Sequence, residues 1–375
     1  MHFFFQMYKK IPSITKVIGL FMCLFMILSL FLVKNNHFLY DDSIIEVFET
    51  SNLSENPITD AQENHDILYT QQIKGLLKNG QHKGDIISLT NEFSSSQAID
   101  QQFQVGDELF VQLDPLNAST GHIIGVKRDY FLLLTSWLLV AVLVVVGKKQ
   151  GLFSVVTLLA NAFILSVALD YYIGGANVSL LWICAVSIVL FTVLSLFLVN
   201  GLNEKTYVAI IATLLGTFIS LLITYLAFMA TDGNGLRYEE LQFITRPYET
   251  VFWAGVFLGS LGAVMDVAIT MSSSLFALYE KDRQISIHAL TKSGLAIGKD
   301  IMGTMTNILF FAYVSGSIPM LILYFKNALP FGYTLSLNLS LEIVRALAGG
   351  IGIVLTIPIG LYIALFFINR KKAKQ

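Results

Sequence analysis

The chain has 375 residues, 55% of them hydrophobic and 13% charged, with a formal net charge of −2 and a mean hydropathy of +0.67. A water-soluble globule of this length does not carry so much apolar surface, so the composition describes a multi-pass membrane protein, and its near-neutral balance gives no sign of a nucleic-acid partner. Cys23 and Cys184 both fall in apolar runs and the six histidines lack HxxxH or HxH spacing, which leaves no disulfide framework, no metal site and no cofactor to expect.

Apolar runs long enough to cross about 30 Å of hydrocarbon occur at 14–33, 130–147, 152–169, 178–199, 207–230, 251–275, 301–324 and 339–368. The fold class expected is an all-α polytopic bundle of about eight membrane helices, with a small extracytoplasmic β-rich domain inserted after the first. Four segments follow: a cytoplasmic N-terminus and first helix over 1–33, the β-rich domain over 34–129, a seven-helix membrane domain over 130–368, and a basic tail over 369–375.

The first run is preceded by Lys9 and Lys10 but ends in Ser29-Leu-Phe-Leu-Val-Lys34, without a small-x-small cleavage pattern, so it is expected to remain as a signal anchor. Within 34–129, turn residues precede short β-prone stretches three times: Gly84-Asp85 before 86–90, Gly106-Asp107 before 108–113, and Gly121-His122 before 123–126. Residues 41–66 are acidic and polar with no clear period, and are expected to form a flexible lead-in.

Lysine and arginine set the sidedness, because retained cytoplasmic loops are enriched in them. Lys16, Lys148, Lys149, Lys205, Lys281, Arg283, Lys292, Lys299, Arg370, Lys371 and Lys372 all fall on one side if there are eight crossings, whereas the opposite short loops carry only Arg237, Arg246 and Lys326. Both termini are therefore expected in the cytoplasm and residues 34–129 outside it.

The chemistry-bearing candidates lie in the last three runs. At 100° per residue, Gly255, Gly259, Gly262, Thr270 and Ser273 share a face with Asp266. A small, polar stripe lets a neighbouring backbone approach closely or lines a hydrated path, and an acid in hydrocarbon faces a partner or water. On the next run Asp300, Gly303 and Asn307 share a face with Thr304 beside it. Counting about 1.5 Å per residue, Asn307 lies about 10 Å and Asp266 about 13 Å from the cytoplasmic side, a depth at which Asn307 can donate to the Asp266 carboxylate. Asp300 marks the mouth of that path, or simply complements a helix N-terminus.

The last run places Glu342, Arg345, Gly349, Gly352, Thr356 and Gly360 along one line, with Pro358 within it. Glu342 and Arg345, at i,i+3, are expected to neutralise one another, as a bundle-fixing contact or part of an outer gate. Hydroxyl stripes at Ser154, Thr157 and Asn161, and at Thr213, Thr217, Ser220 and Thr224, read as helix-packing faces.

Several of these residues carry a resemblance. Gly259-Ser-Leu-Gly-Ala-Val-Met-Asp266, Ser272-Ser-Ser274, Ser293-Gly294, Ile297-Gly-Lys-Asp-Ile-Met-Gly-Thr-Met-Thr-Asn307 and Ala312-Tyr-Val-Ser-Gly-Ser-Ile-Pro319 resemble the YibE/F-like family of bacterial multi-pass membrane proteins over about 130–368. Lys299 stands where arginine is expected and Ile308 where threonine is usual. The anchor and outer domain resemble the YibE-type member, which implies a YibF-type partner or a homo-oligomer in the bacterial cytoplasmic membrane, and an activity in transport or efflux. A fainter likeness to SecF and RND-type permeases is an analogy of layout only.

Three functions remain in view. The first is a transporter or transport-complex subunit for an unknown small molecule or ion, with Asp266 binding a proton or cation. The second is a non-enzymatic scaffold or sensor acting through the outer domain. The third is an intramembrane aspartyl protease using Asp266 and Asp300, which the superficial position of Asp300 disfavours. No GxxxxGK[ST] motif is present, so ATP-derived energy would need another subunit.

Overall fold

The computed structural model describes residues 13–61, 63–97, 100–114, 117–175, 178–238 and 247–373. The chain divides into two compact units, Met1–Val142 and Leu143–Gln375. Arg246 and the basic residues at 9, 10 and 374 fall outside the described residues.

The first unit opens with helix α1 (Ser13–Lys34), followed by a 3-10 turn at His37–Leu39. Five strands follow: β1 (Ser43–Thr59), β2 (His65–Leu77), β3 (Ile86–Ser94), β4 (Glu108–Asp114) and β5 (Asn117–Val126). They form one antiparallel sheet in the order β3-β2-β1-β4-β5. The edges β3 and β5 also come into contact, so the sheet curls on itself. Alternate residues point inward, Ile45 and Val47 from β1, Ile73 and Leu77 from β2, Ile87 and Leu89 from β3, Leu109 and Val111 from β4, and they close a core with Phe103. Gly75 opposes Val47 in that core, and a methyl group there would lie 2.7 Å from Ile45 Cδ1.

The expected strands at 86–90, 108–113 and 123–126 correspond to β3, β4 and the end of β5. The expected flexible lead-in over 41–66 is corrected: most of it is β1, paired with β2 from Ile45↔Leu77 to Thr59↔His65. Only the start of β1 pairs with β4 and touches the core; its outer half is exposed on both faces, so no alternation marks it as a strand. Backbone hydrogen bonds to β2 hold it.

Helix α2 (Asp129–Ile173) spans 45 residues with a non-helical residue inside, Lys148 at φ 52°, ψ −123°. Its start belongs with the first unit, where Trp137 Nε1 donates to Ser29 Oγ at 2.9 Å and stacks edge-on against Phe25 of α1. Beyond Lys148 the chain bends so sharply that a methyl group on Gly151 would lie 1.9 Å from the Leu143 carbonyl oxygen, a contact only glycine permits.

The second unit continues with α3 (Leu180–Asn200), α4 (Glu204–Ala230), α5 (Tyr248–Lys281), α6 (Ile287–Lys326) and α7 (Phe331–Lys372). Local signals set the ends. Gly201 at φ +75° terminates α3, and the Asn203 carboxamide caps α4 by accepting from Thr206 N. Ser286 caps α6 by accepting from Ala289 N, while Pro247 and Pro330 precede α5 and α7.

Among the described residues six helices are long and apolar enough to cross a membrane: α2, α3, α4, α5, α6 and α7. The expected count of about eight is not reached among the described residues: the runs at 130–147 and 152–169 form one element interrupted at Lys148, and the 22-residue α1 contributes its described apolar stretch Phe21–Lys34.

Helix α7 is the centre of this unit and packs on α4, α5 and α6. Its glycines make that possible. A methyl group at Gly352 would lie 2.7 Å from Val264 Cγ2 of α5 and 3.4 Å from Ser220 Cβ of α4, and one at Gly349 2.3 Å from Leu309 Cδ2 of α6. At one end of the unit Lys371 pairs with Glu204 at 2.9 Å, Lys372 Nζ donates to the Ile285 carbonyl, and Ser272 Oγ donates to the Lys205 carbonyl at 2.7 Å.

Candidate functional site

Helix α5 buries Val264, Ala268, Met271 and Leu275 and turns Asp266 the opposite way. The five residues expected to share the Asp266 face divide along its length. Gly255 approaches α7, where a methyl group would lie 3.7 Å from Arg345 Nε, and Gly259 approaches α6, where it would lie 2.0 Å from the Tyr313 hydroxyl. Next along the face, Gly262 meets nothing and is exposed, and so is Asp266. Thr270 and Ser273 are half-buried. The stripe packs closely at one end and leaves open space around the acid.

Asp266 makes no hydrogen bond or ion pair among the described residues, so the expected bond from Asn307 is absent. The reason lies in α6. Its buried face carries Gly298, against Ile357, and Leu309, against Gly349, so both meet α7. Asp300 and Asn307 lie on the other side, 160° or more from both Leu309 and Gly298 at 100° per residue, with Thr304 beside them at 120° or more. There they line an open groove of about 750 Å³ with Gly303, Ile308 and Phe311. Asp300, Gly303, Thr304 and Asn307 thus share one groove, and it faces away from α7.

Nor does a hydrogen bond join Asp266 to Asp300, and no cluster of three or more His, Cys, Asp or Glu side chains able to hold a metal occurs among the described residues.

Glu342 and Arg345 form the expected ion pair, both largely buried. The Arg345 guanidinium also lies 5.5 Å from the Phe252 ring centroid of α5. Its Nε–H is buried beside Gly255 without a partner among the described residues. Charge from one helix is thus laid across the glycine face of another, next to Tyr313 from a third. Tyr313 was within reach of sequence reasoning, since it stands in the Ala312–Pro319 motif, but only the contact with Gly259 reveals its position.

The hydroxyl stripes act as packing faces. Ser154 and Thr157 bond back to carbonyls four residues earlier, and Asn161 donates to Ser195 of α3 at 2.9 Å. On α4, Ser220 donates to the Ala348 carbonyl of α7 and Thr224 to the Ser220 carbonyl. Thr213 and Thr217 are fully buried, their hydroxyls without partners among the described residues.

The first unit holds a second polar centre that the sequence did not disclose. Lys127, its side chain 1% exposed, donates to Glu108 Oε2 at 2.8 Å and to Asp129 Oδ1 at 3.0 Å. Asp129 Oδ2 also accepts from Asn36 Nδ2 and from the Tyr40 hydroxyl, both at 2.9 Å, and His37 Nε2 lies 2.8 Å from Glu108 Oε1. Burial tends to lower the Lys127 pKa, but the two carboxylates that bind the ammonium raise it above its ordinary value. Burial, then the bond to Asp129, raises that of Tyr40.

Long apolar helices, one of them with an acid midway along it that has no partner among the described residues, together with an N-terminal antiparallel sheet, define a polytopic membrane protein carrying a β-sheet module. Residues 135–370 match the family profile described as YibE/F-like protein, and residues 38–126 match the YibE/F family N-terminal domain. The chain belongs to the YibE/F-like family. No curated protein and no solved structure matches it.

Proposed function

We propose that the chain is the membrane subunit of a transport or efflux system in which Asp266 takes up and releases a proton or small cation. The observation that carries this reading is the setting of Asp266: a carboxylate midway along a membrane helix, exposed beside open space at Gly262 and without a partner among the described residues. An ionised group in hydrocarbon costs several kcal/mol or more unless water or a counter-charge reaches it, so such acids mark ion and substrate paths.

The reading takes eight crossings, from α1, the two parts of α2 either side of Lys148, and α3 to α7. Basic loops then lie in the cytoplasm of a bacterium together with both termini, and the sheet module lies outside, where it engages substrate or partner. It also gives the α6 groove an occupant. Asp300, Thr304 and Asn307 face away from α7, and a second membrane chain, either another copy or a YibF-type partner, covers them.

The test uses the full-length protein in vesicles with an entrapped pH-sensitive dye and an imposed potential. Asp266→Asn is expected to abolish protein-dependent ion flux while insertion and expression stay at wild-type level. Undiminished flux in that variant rejects Asp266 as the carrier.

A further inference from the structure

A second cavity lies in the first unit, where α1 gives way to the sheet. It measures about 330 Å³, and its lining includes Asn35, His37, Phe38, Tyr40, Lys78, Asn79 and Lys83. We propose that this cavity binds the phosphate of an anionic phospholipid headgroup. The proposal rests on reading α1 as a membrane helix and is independent of the role of Asp266.

The walls are held in place from within. The buried Asn79 accepts from Ile44 N at 2.7 Å through its carboxamide oxygen. Its Nδ2 donates to the carbonyls of His37 and Tyr40, each at 3.1 Å, and of Asp42 at 2.8 Å. One side chain thus fixes the path of residues 37–44 against the β2–β3 turn, and the cavity persists as part of the fold.

The lining is cationic. Lys83 is exposed and makes no ion pair among the described residues; Lys78 is paired with Glu46; His37 contacts Glu108 through Nε2 and leaves Nδ1 without a partner. No carboxylate is among the described lining residues. The nearby acids are accounted for: Glu46 by Lys78, Asp85 by His82 at 3.4 Å, while Asp41 and Asp42 are exposed outside the lining.

Depth identifies the ligand as a lipid rather than a free anion. The helix ends at Lys34, and four and five residues later Phe38 and Leu39 are 79% and 69% exposed. Bare apolar side chains directly after a membrane helix belong in the interface, where they reach acyl chains while the polar residues beside them meet headgroups. The volume, at the small end for ligand sites, holds a headgroup and leaves the chains outside.

The experiment is lipid binding by the delipidated full-length protein in detergent, read by native mass spectrometry with phosphatidylglycerol, phosphatidylcholine or inorganic phosphate as probe. Wild type is expected to hold one tight phosphatidylglycerol in preference to phosphatidylcholine. Lys83→Glu, which breaks no ion pair of the fold, is expected to weaken that binding on the order of tenfold, and Lys83→Gln about fivefold, as removing a cation at a membrane surface does. Unchanged phosphatidylglycerol binding in Lys83→Glu overturns the site. Equal binding of the two lipids overturns the anionic preference, and binding of inorganic phosphate without phosphatidylglycerol overturns the lipid assignment.

Discussion

Lys127 and Glu108 are joined twice, through the ammonium and carboxylate at 2.8 Å and through the Lys127 amide, which donates to the Glu108 carbonyl at 2.8 Å. The same ammonium donates to the Val33 carbonyl near the end of α1 and to Asp129 at the start of α2. One buried charge therefore ties two helix ends to the sheet. Lys127→Met would leave two carboxylates facing each other without a cation, and the expected loss of stability is about 3–5 kcal/mol. Chemical unfolding followed by Trp137 fluorescence, with Trp182 and Trp253 changed to Phe, measures it.

The pH dependence of this knot follows from the raised pKa values of Lys127 and Tyr40. A group whose pKa is higher folded than unfolded stabilises fully below the unfolded value and ceases to do so as pH climbs through the folded one. The contribution of these two groups is thus expected to be level through neutral pH and to fall only above about pH 10. A midpoint for the same Trp137 transition that dropped between pH 7 and 9 would contradict this.

Gly151 and Gly303 offer a matched pair of glycine substitutions. A methyl group at Gly151 strikes the Leu143 carbonyl, whereas one at Gly303 meets nothing. Gly151→Ala is expected to destabilise by about 1–3 kcal/mol, and Gly303→Ala to stay within about 0.5 kcal/mol of wild type. Thermal unfolding in detergent ranks them.

Much of the membrane unit was legible in the sequence because hydrocarbon imposes a coarse signal: seven of the apolar runs reappear as the six long helices, and Glu342–Arg345 paired as their spacing suggested. Grouping Asp300, Thr304 and Asn307 also needed only the helical period. Their direction did not follow from it, because a period assigns residues to a face without saying which face meets the neighbour. Here Gly298 and Leu309 decided that against the polar side. The outer half of β1 escaped detection for a related reason: both its faces meet water, so its order resides in backbone bonds that leave no trace in composition. Gln71 was equally invisible, a polar residue 1% exposed in the middle of β2.

Gln71 also supports a prediction. Its Nε2 donates to the Phe103 carbonyl at 2.7 Å and its Oε1 accepts from Phe103 N at 3.3 Å, tethering the segment before β4. Gln71→Leu strands both backbone groups, each worth about 1–3 kcal/mol when buried unpaired. Limited proteolysis is expected to show faster cleavage between Gln101 and Asp107 in this variant.

Solvent access to Asp266 can be probed by thiol labelling once Cys23 and Cys184 are changed to Ser. Asp266→Cys and Gly262→Cys, at exposed positions, are expected to react with a membrane-impermeant thiosulfonate on the order of tenfold faster than Ser272→Cys, which replaces a fully buried residue. Equal protection at all three positions would mean that the open side of α5 is closed to water.

The reliance of α7 on Gly349 and Gly352 has a bearing on biosynthesis. Helices α4, α5 and α6 each leave the ribosome before the partner whose backbone they are shaped to meet, so their matching surfaces wait in the bilayer unfilled. The seventh helix is a keystone: assembly is completed only after its insertion, and a lesion on its glycine line withholds closure from three earlier helices at once.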